Sequence, residues 1–385
     1  MRASPRIAAL VVVAATLAGS APAQGRPIAE RVVHNTFGEV GGPLGAIAPA
    51  PGGGVFVATR IGNNQDQIAV FDAAGAARPG FPCSVIGGSC QAGAIATTPA
   101  GASFLVSVFP TDHGRDGHAP PGLASVARNP RGAWVTTFAH GVGESSVPYG
   151  IAGDAHGAVW LTEGGGLVDR YDPATGTLVP HPLARRNAGP SIITLGGDGA
   201  MWCTEVLANR IGRIATGLPE LVGAATDYRV PTPRAGLGGI APGPDGALWF
   251  TEARAGRIGR ITTAGAVREY AVGRRGAAPR SIVAGADGSL WFTDPGTDAI
   301  GRITTGGRVT EYALPAPPAR TRQTRAVPNA ITSAGGRIWW SETAAVRVGS
   351  LDPLAPPRAV RSRVRDRAAA RDRAAARDRA DARKR

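Results

Sequence analysis

Short runs of alternating apolar and polar residues, each bounded by glycine-rich turns, fill the middle of the chain and recur at a fixed period. The run Asp245-Gly246-Ala247-Leu248-Trp249-Phe250-Thr251-Glu252 reappears as Asp287-Gly288-Ser289-Leu290-Trp291-Phe292-Thr293-Asp294 and as Asp198-Gly199-Ala200-Met201-Trp202-Cys203-Thr204-Glu205. Weaker copies run from His156 to Glu163 and from Gly335 to Glu342. The closing acidic residues stand at 163, 205, 252, 294 and 342, giving spacings of 42, 47, 42 and 48. Alternation with period two marks strands, and a repeat of roughly 40–50 residues is the length of a blade of four short strands.

Within one copy the pattern predicts a first strand from Ile240, an Asp-Gly hairpin, a second strand over Leu248 to Thr251, a third over Arg257 to Ile261 and a fourth near Val267 to Tyr270. Asp-Gly favours tight reversals because glycine takes the left-handed backbone without steric cost. Degraded copies run from Ile47 to Asp72 and from Ile95 to Arg128, so five clear units and two degraded ones make seven. Four-stranded meanders packed radially form a propeller, and the tryptophans should fill the space between blades. The predicted fold is therefore all-β, a single seven-bladed β-propeller of four-stranded antiparallel blades. A closed ring must hide its last unpaired edge. Arg31-Val32-Val33-His34 is the candidate outermost strand for the blade that begins at Ile331.

Composition agrees: Gly 55 and Pro 32 among 385 residues disfavour long helices. The first residues change the picture of where the protein goes. Arg2 and Arg6, the apolar run Ile7 to Leu17 and the small residues Ala21-Pro22-Ala23 read as a cleaved export signal over 1–23. The run has eleven residues, too few for a membrane span, which needs roughly 20. The expected organisation is a signal peptide (1–23), a propeller (24–357) and a basic tail (358–385), in a secreted or periplasmic monomer with no membrane span. Export permits disulfides, so Cys83 and Cys90 are expected to bridge one loop. Cys203, in place of the Phe of sister copies, is expected to be a small buried hydrophobe.

The net charge of +14 points toward nucleic acid until it is located. Between Arg358 and Arg385, eleven Arg and one Lys against four Asp leave +8. The tail repeats every six residues, makes no apolar stripe, and is expected to be mobile, with weak electrostatic contact to anionic polymers. No specific nucleic-acid partner is expected.

Chain geometry places a site. If the first strand starts on one face and ends in the Asp-Gly hairpin, the second strand returns to the starting face. The residues leading into the first strands then ring the central channel: Gly45, Gly93, Tyr149, Ser191, Gly238, Arg280 and Asn329. Tyr149, Ser191, Arg280 and Asn329 are the candidate ligand-binding residues, suited to a small polar or anionic molecule or peptide, with Arg280 supplying a charged fork. The second ring, Glu163, Glu205, Glu252, Asp294 and Glu342, recurs in nearly every unit and is expected to accept loop amides or pair with arginines. An insertion containing Asp112, His113, Asp116 and His118 places Leu123 where a calcium loop needs a bidentate Glu, and so reads as a solvated loop. No Gly-x-Ser-x-Gly, phosphate loop or His-Glu-x-x-His occurs.

The succession Pro-x-x-Ile, Gly-Pro-Asp-Gly-Ala-Leu-Trp-Phe-Thr-Glu, Arg-Ile-Gly-Arg-Ile-Thr and an outer strand resembles the virginiamycin B lyase (streptogramin lyase) family, strongly from Tyr149 to Leu351 and weakly from Ile47 to Arg131. The resemblance implies a seven-bladed ring that opens a cyclic depsipeptide ester by elimination, using a His base and Mg2+. Carried over by position, the base should follow Pro328, where this chain has Asn329. The first metal-binding Glu falls at Val327, the substrate-contacting His falls at Arg280, and Glu342 matches the second metal carboxylate. The catalytic residues are thus unassigned and no cofactor is expected outside the resemblance. The expected function is a ligand-binding or interaction ring, with a carbon-oxygen lyase of the family type as the alternative.

Overall fold

In the computed structural model, the described residues are 33–34, 46–61, 65–82, 84–85, 88–89, 92–98, 101–107, 122–128, 134–141, 148–163, 166–216, 225–317, 324–344 and 347–355. The expected export signal, the basic tail, Gly45, Cys83, Cys90 and the insertion residues Asp112, His113, Asp116 and His118 lie outside them.

Seven four-stranded antiparallel sheets follow one another along the chain, with no helix among the described residues. Their innermost strands are Ile47–Ala50, Ala92–Thr97, Pro148–Gly153, Pro190–Leu195, Leu237–Pro242, Ile282–Ala284 and Pro328–Ala334, which define blades 1 to 7. Each innermost strand touches the next in order, and blade 7 touches blade 1, so the ring closes. Blade 5 shows the pattern: Leu237–Pro242, Leu248–Glu252, Arg257–Ile261 and Val267–Ala271, each paired with the one before. Gly246, at the predicted turn, has φ +72°, the conformation that requires glycine there.

The closing strand lies within the segment expected to hide the ring's last edge. Val33–His34 pairs antiparallel with Arg347–Leu351, Val33 opposite Val348 and His34 opposite Arg347. The last blade is thereby built from both ends of the ring, which protects its edge.

The tryptophans pack between blades. Trp202 of blade 4 lies against Ile240, Leu248 and Phe250 of blade 5; Trp249 meets Ile282, Leu290 and Phe292 of blade 6; Trp291 meets Ile331, Ile338 and Trp340 of blade 7. Trp339 closes the cycle against Val55 and Val57 of blade 1. Each turn aspartate fixes its tryptophan: the indole Nε1–H of Trp291 donates to Asp287 Oδ1 at 3.0 Å, while Arg302 Nε donates to Oδ2 at 2.6 Å. Trp202 with Asp198 and Trp249 with Asp245 repeat the arrangement. An outer-strand ring, Tyr228, Tyr270 or Tyr312, stacks on each indole at 5.5 to 5.6 Å between centroids. A buried indole N–H left without an acceptor would be costly, which accounts for the turn Asp of blades 3 to 6; in blade 7, which lacks it, Trp339 Nε1 donates to Ala334 O at 3.2 Å instead. Cys203 is fully buried, and burial pushes its thiol pKa up, as befits a small hydrophobe.

Candidate functional site

The start of each innermost strand is paired with the end of the second: Pro148 with Glu163, Pro190 with Glu205, Leu237 with Glu252 and Pro328 with Glu342. Both features therefore lie on one face of the ring. On that face a cavity of about 770 Å³ is lined by Tyr149, Ser191, Arg280 and Asn329, together with Gly93 and Gly238. The four candidate residues, drawn from four blades, thus converge on one orifice.

Their placement depends on a feature that the alternation does not reveal. In blades 2, 3, 4, 5 and 7 the register slips just where the first strand begins, between Ala92 and Ala94, Pro148 and Ile151, Pro190 and Ile193, Leu237 and Ile240, and Pro328 and Ile331. Each slip is a β-bulge, which re-aims side chains at a sheet margin. Gly93, Tyr149, Ser191, Gly238 and Asn329 occupy these bulges. The repeated threonine of the second strand then pins the neighbouring bulge. Thr204 Oγ1 donates to Gly238 O at 3.0 Å, Thr251 Oγ1 to Arg280 O at 2.8 Å and Thr293 Oγ1 to Asn329 O at 2.8 Å, and Thr162 bonds Ser191 O in the same way.

The orifice has two unlike walls. Arg280 and Asn329 supply a cation and an amide on one side. Across from them, between the glycines of blades 2 and 5, Ile192 and Val206 join Tyr149, and a smaller cleft of about 250 Å³ continues from Tyr149 and Val206 to Leu207. Tyr149 is 51% exposed and Leu207 74%, and with Ile192 and Val206 they make a contiguous apolar patch of the kind that marks a binding surface. Sequence reasoning missed this wall, since Ile192 and Val206 follow the mouth residue and the acidic residue and carry no motif of their own.

The acidic ring stands behind the orifice rather than in it: among the described residues no carboxylate lines the cavity. Asp294 accepts hydrogen bonds from Ala278 N (2.8 Å), Gly296 N (3.0 Å) and Thr297 Oγ1 (2.8 Å), a loop-fastening role. Glu205 and Glu252 are fully buried with both carboxyl oxygens unpartnered, and burial pushes their pKa values up to about 7 and about 8. Asp169, raised to about 8 by burial and the nearby Glu163, belongs to the same layer.

The position that the resemblance matches to a metal carboxylate is Glu342. It is fully buried, with Oε1 accepting from Trp340 Nε1 at 3.0 Å and Oε2 from Arg347 Nε at 2.7 Å. Both oxygens are engaged, so neither is offered to a cation. Val327, at the other expected metal position, has no donor atom in its side chain, and its φ is +51°. Among the described residues no cluster of three His, Cys, Asp or Glu side chains is arranged to hold a metal. The residues present do not fit Mg2+.

Comparison with known proteins bears on the frame. The model of the virginiamycin B lyase family matches residues 136–364. A virginiamycin B lyase of Nocardia farcinica is 38% identical over 94 residues, a segment that covers 24% of this chain and 32% of that protein's length. The structure of a streptogramin B lyase aligns over 84% of this chain and 96% of its own, with TM-score 0.67 and 28% identity. A catalytically inactive His-to-Ala variant of virginiamycin B lyase from Staphylococcus aureus, solved with quinupristin, aligns over 83% and 97%, with TM-score 0.67 and 27% identity. The family match spans more than half of the chain and continues through the blades that carry the threonine-pinned orifice, so this chain belongs to the virginiamycin B lyase family.

Proposed function

We propose that this chain is an exported ligand-binding ring that has lost the ester-opening elimination of its family. The observation that carries the reading is Asn329, which stands at the orifice where the family resemblance places the His base. Elimination beside a carbonyl needs a base to take the proton and an electrophile to hold the enolate charge. A carboxamide has no basic lone pair near neutral pH, and the two positions matched to metal carboxylates hold Val327 and an Arg347-bound Glu342. What supports binding is the orifice itself: a cation and an amide facing Tyr149, Ile192 and Val206 across about 770 Å³. Such a site suits a small molecule or peptide that combines an anionic or polar group with an apolar or aromatic portion.

The alternative, a streptogramin-type lyase, is favoured by the extent of the structural likeness. The purified protein is incubated with a streptogramin B antibiotic and Mg2+. Because elimination leaves the mass unchanged, ring opening is read by chromatography with fragmentation mass spectrometry. The expected result is intact antibiotic. Turnover by the wild-type protein overturns the reading, and turnover that survives Asn329→Ala also shows the site to be misplaced.

A further inference from the structure

A second concavity on the same face, sharing no lining residue with the orifice, has a different chemistry. It measures about 580 Å³ and gathers Arg185 and Arg186 from the loop entering blade 4, Arg210 and Arg229 from the third and fourth strands of that blade, and Arg234 from the loop that leaves it. Five guanidiniums thus border one groove, and two carboxylates lie close to them: Asp227, and the buried Glu205 that stands opposite Arg210 in the strand register. Asp227 is largely spent on fixing two of them: its Oδ2 accepts from Arg185 Nε at 2.6 Å and from Arg210 Nε at 2.8 Å. Bound through Nε, both guanidiniums keep terminal N–H groups for another acceptor. Arg186, Arg229 and Arg234 are exposed and have no ion-pair partner among the described residues.

The arrangement costs the fold something. Arg210 and Arg229 stand directly opposite in the strand register, where like charges destabilise. The corresponding pairs are Leu167–Pro182 in blade 3, Arg257–Ala271 in blade 5 and Ala299–Ala313 in blade 6. Another Arg pair, Arg260–Arg268, is relieved by Asp245, which bonds Arg260 at 2.7 Å. In the groove Asp227, with the buried Glu205 behind it, must answer five cations. The floor is also held rigid: Asn209 Nδ2 donates to Val230 O at 3.3 Å and Thr232 O at 2.9 Å, and its Oδ1 accepts from Ala235 N at 2.8 Å. Residues that break a local rule on a fixed scaffold are where a ligand supplies the missing partner.

The geometry points to this groove as a binding site for a small molecule carrying two or more phosphate groups. One phosphate would leave most of the volume and three of the five forks unused, whereas linked phosphates can engage paired guanidiniums in the bidentate manner these cations favour. The site is independent of the orifice, so its failure leaves the reading of the orifice untouched.

The test is calorimetric titration of the full chain with tripolyphosphate at about 150 mM NaCl, a salt level that suppresses loose ion pairing. Two double variants are compared with the wild type: Arg186→Ser with Arg229→Thr in the groove, and Arg268→Gln with Arg308→Gln at exposed positions elsewhere. Each removes two positive charges and leaves the basic tail unchanged, so the difference between them reports the groove. The groove variant should bind at least about tenfold more weakly, the loss of roughly one charged hydrogen bond, with the control within about threefold of wild type. Absence of binding by the wild type, or equal losses in the two variants, overturns the proposal.

Discussion

Glu252 offers the sharpest test of how the blades are packed. Its side chain is fully buried, neither carboxyl oxygen has a hydrogen-bond partner, and burial, followed by the charge of Glu269, raises its pKa to about 8. Arg257 opposes the shift but is drawn to Glu269, whose Oε2 it approaches at 3.6 Å. In the unfolded chain the same group titrates near 4.5. Below that pH both states hold the proton and the folded state carries no charge penalty. Between about 4.5 and 8 the unfolded chain releases the proton while the folded chain keeps it, so stability falls as pH rises and levels off only above the folded pKa. At 1.36 kcal/mol per pKa unit, this one carboxyl removes on the order of 4 kcal/mol by pH 8.5. Glu252→Gln replaces it with a neutral group of the same shape. Urea midpoints followed by tryptophan fluorescence at pH 5.5 and pH 8.5 read the effect. The variant should gain on the wild type as pH rises, while Asp169, Glu205 and Glu311, raised to about 8, 7 and 7, leave it a shallower slope of the same sign. Two proteins whose stabilities run parallel across this window would refute the argument.

Two further substitutions probe the frame. Val327 is β-branched in a left-handed conformation at φ +51°, at the position where Gly189 and Gly236 stand before the orifice residues of blades 4 and 5. Val327→Gly should raise stability by about 1 kcal/mol in urea denaturation, strain relief outweighing the extra chain entropy of glycine, and a loss of stability would show that the strain is absent. Asp287→Ala removes the acceptor of the fully buried Trp291 indole and the partner of Arg302, and should cost about 2 kcal/mol by the same measurement. A change below about 0.5 kcal/mol would mean that the aspartate is ornamental.

The frame was legible because it depends on local rules that recur clearly in five blades and in degraded form in two. Two-residue alternation, the tryptophan in the second strands of blades 3 to 7 and the Asp-Gly turns of blades 4 to 6 are read from adjacent residues, and the closing strand Val33–His34 followed from the need to hide the ring's last edge. The orifice residues could be placed because strand direction alone sets the face on which they lie. Other features depend on register between strands, which a single sequence does not display. The bulges that aim Tyr149, Ser191 and Asn329 add one residue without changing the apolar pattern. The pairing of Glu342 with Arg347 requires knowing that these two residues stand opposite each other on the second and third strands of blade 7. Carried over by position alone, Glu342 read as a metal ligand; its neighbour shows it to be half of an ion pair. The arginine groove was hidden for a related reason: its five cations come from three separate segments, and their charge was lost beneath that of the tail.

The threonine ring explains how a chain can keep the family's architecture and change its orifice. Thr204, Thr251 and Thr293 hold their neighbours through backbone carbonyls, and the residues so held are Gly238, Arg280 and Asn329. A hydrogen bond to a carbonyl is indifferent to the side chain beside it, so a glycine, a cation and an amide are all positioned by the same device. The side chains at these positions contribute little to closure of the ring, because the interblade contacts belong to the tryptophans and the aliphatic residues packed against them. Substitution at Arg280 and Asn329 therefore has little structural cost, whereas at Gly238 an added Cβ would fall 2.7 Å from Arg280 O, and substitution in the repeated Trp-Phe-Thr-Glu run would disturb the core. Similarity scored over the blades registers the second kind of position far more than the first. That imbalance is why a family match over 136–364 speaks for the blades and not for the chemistry at Asn329.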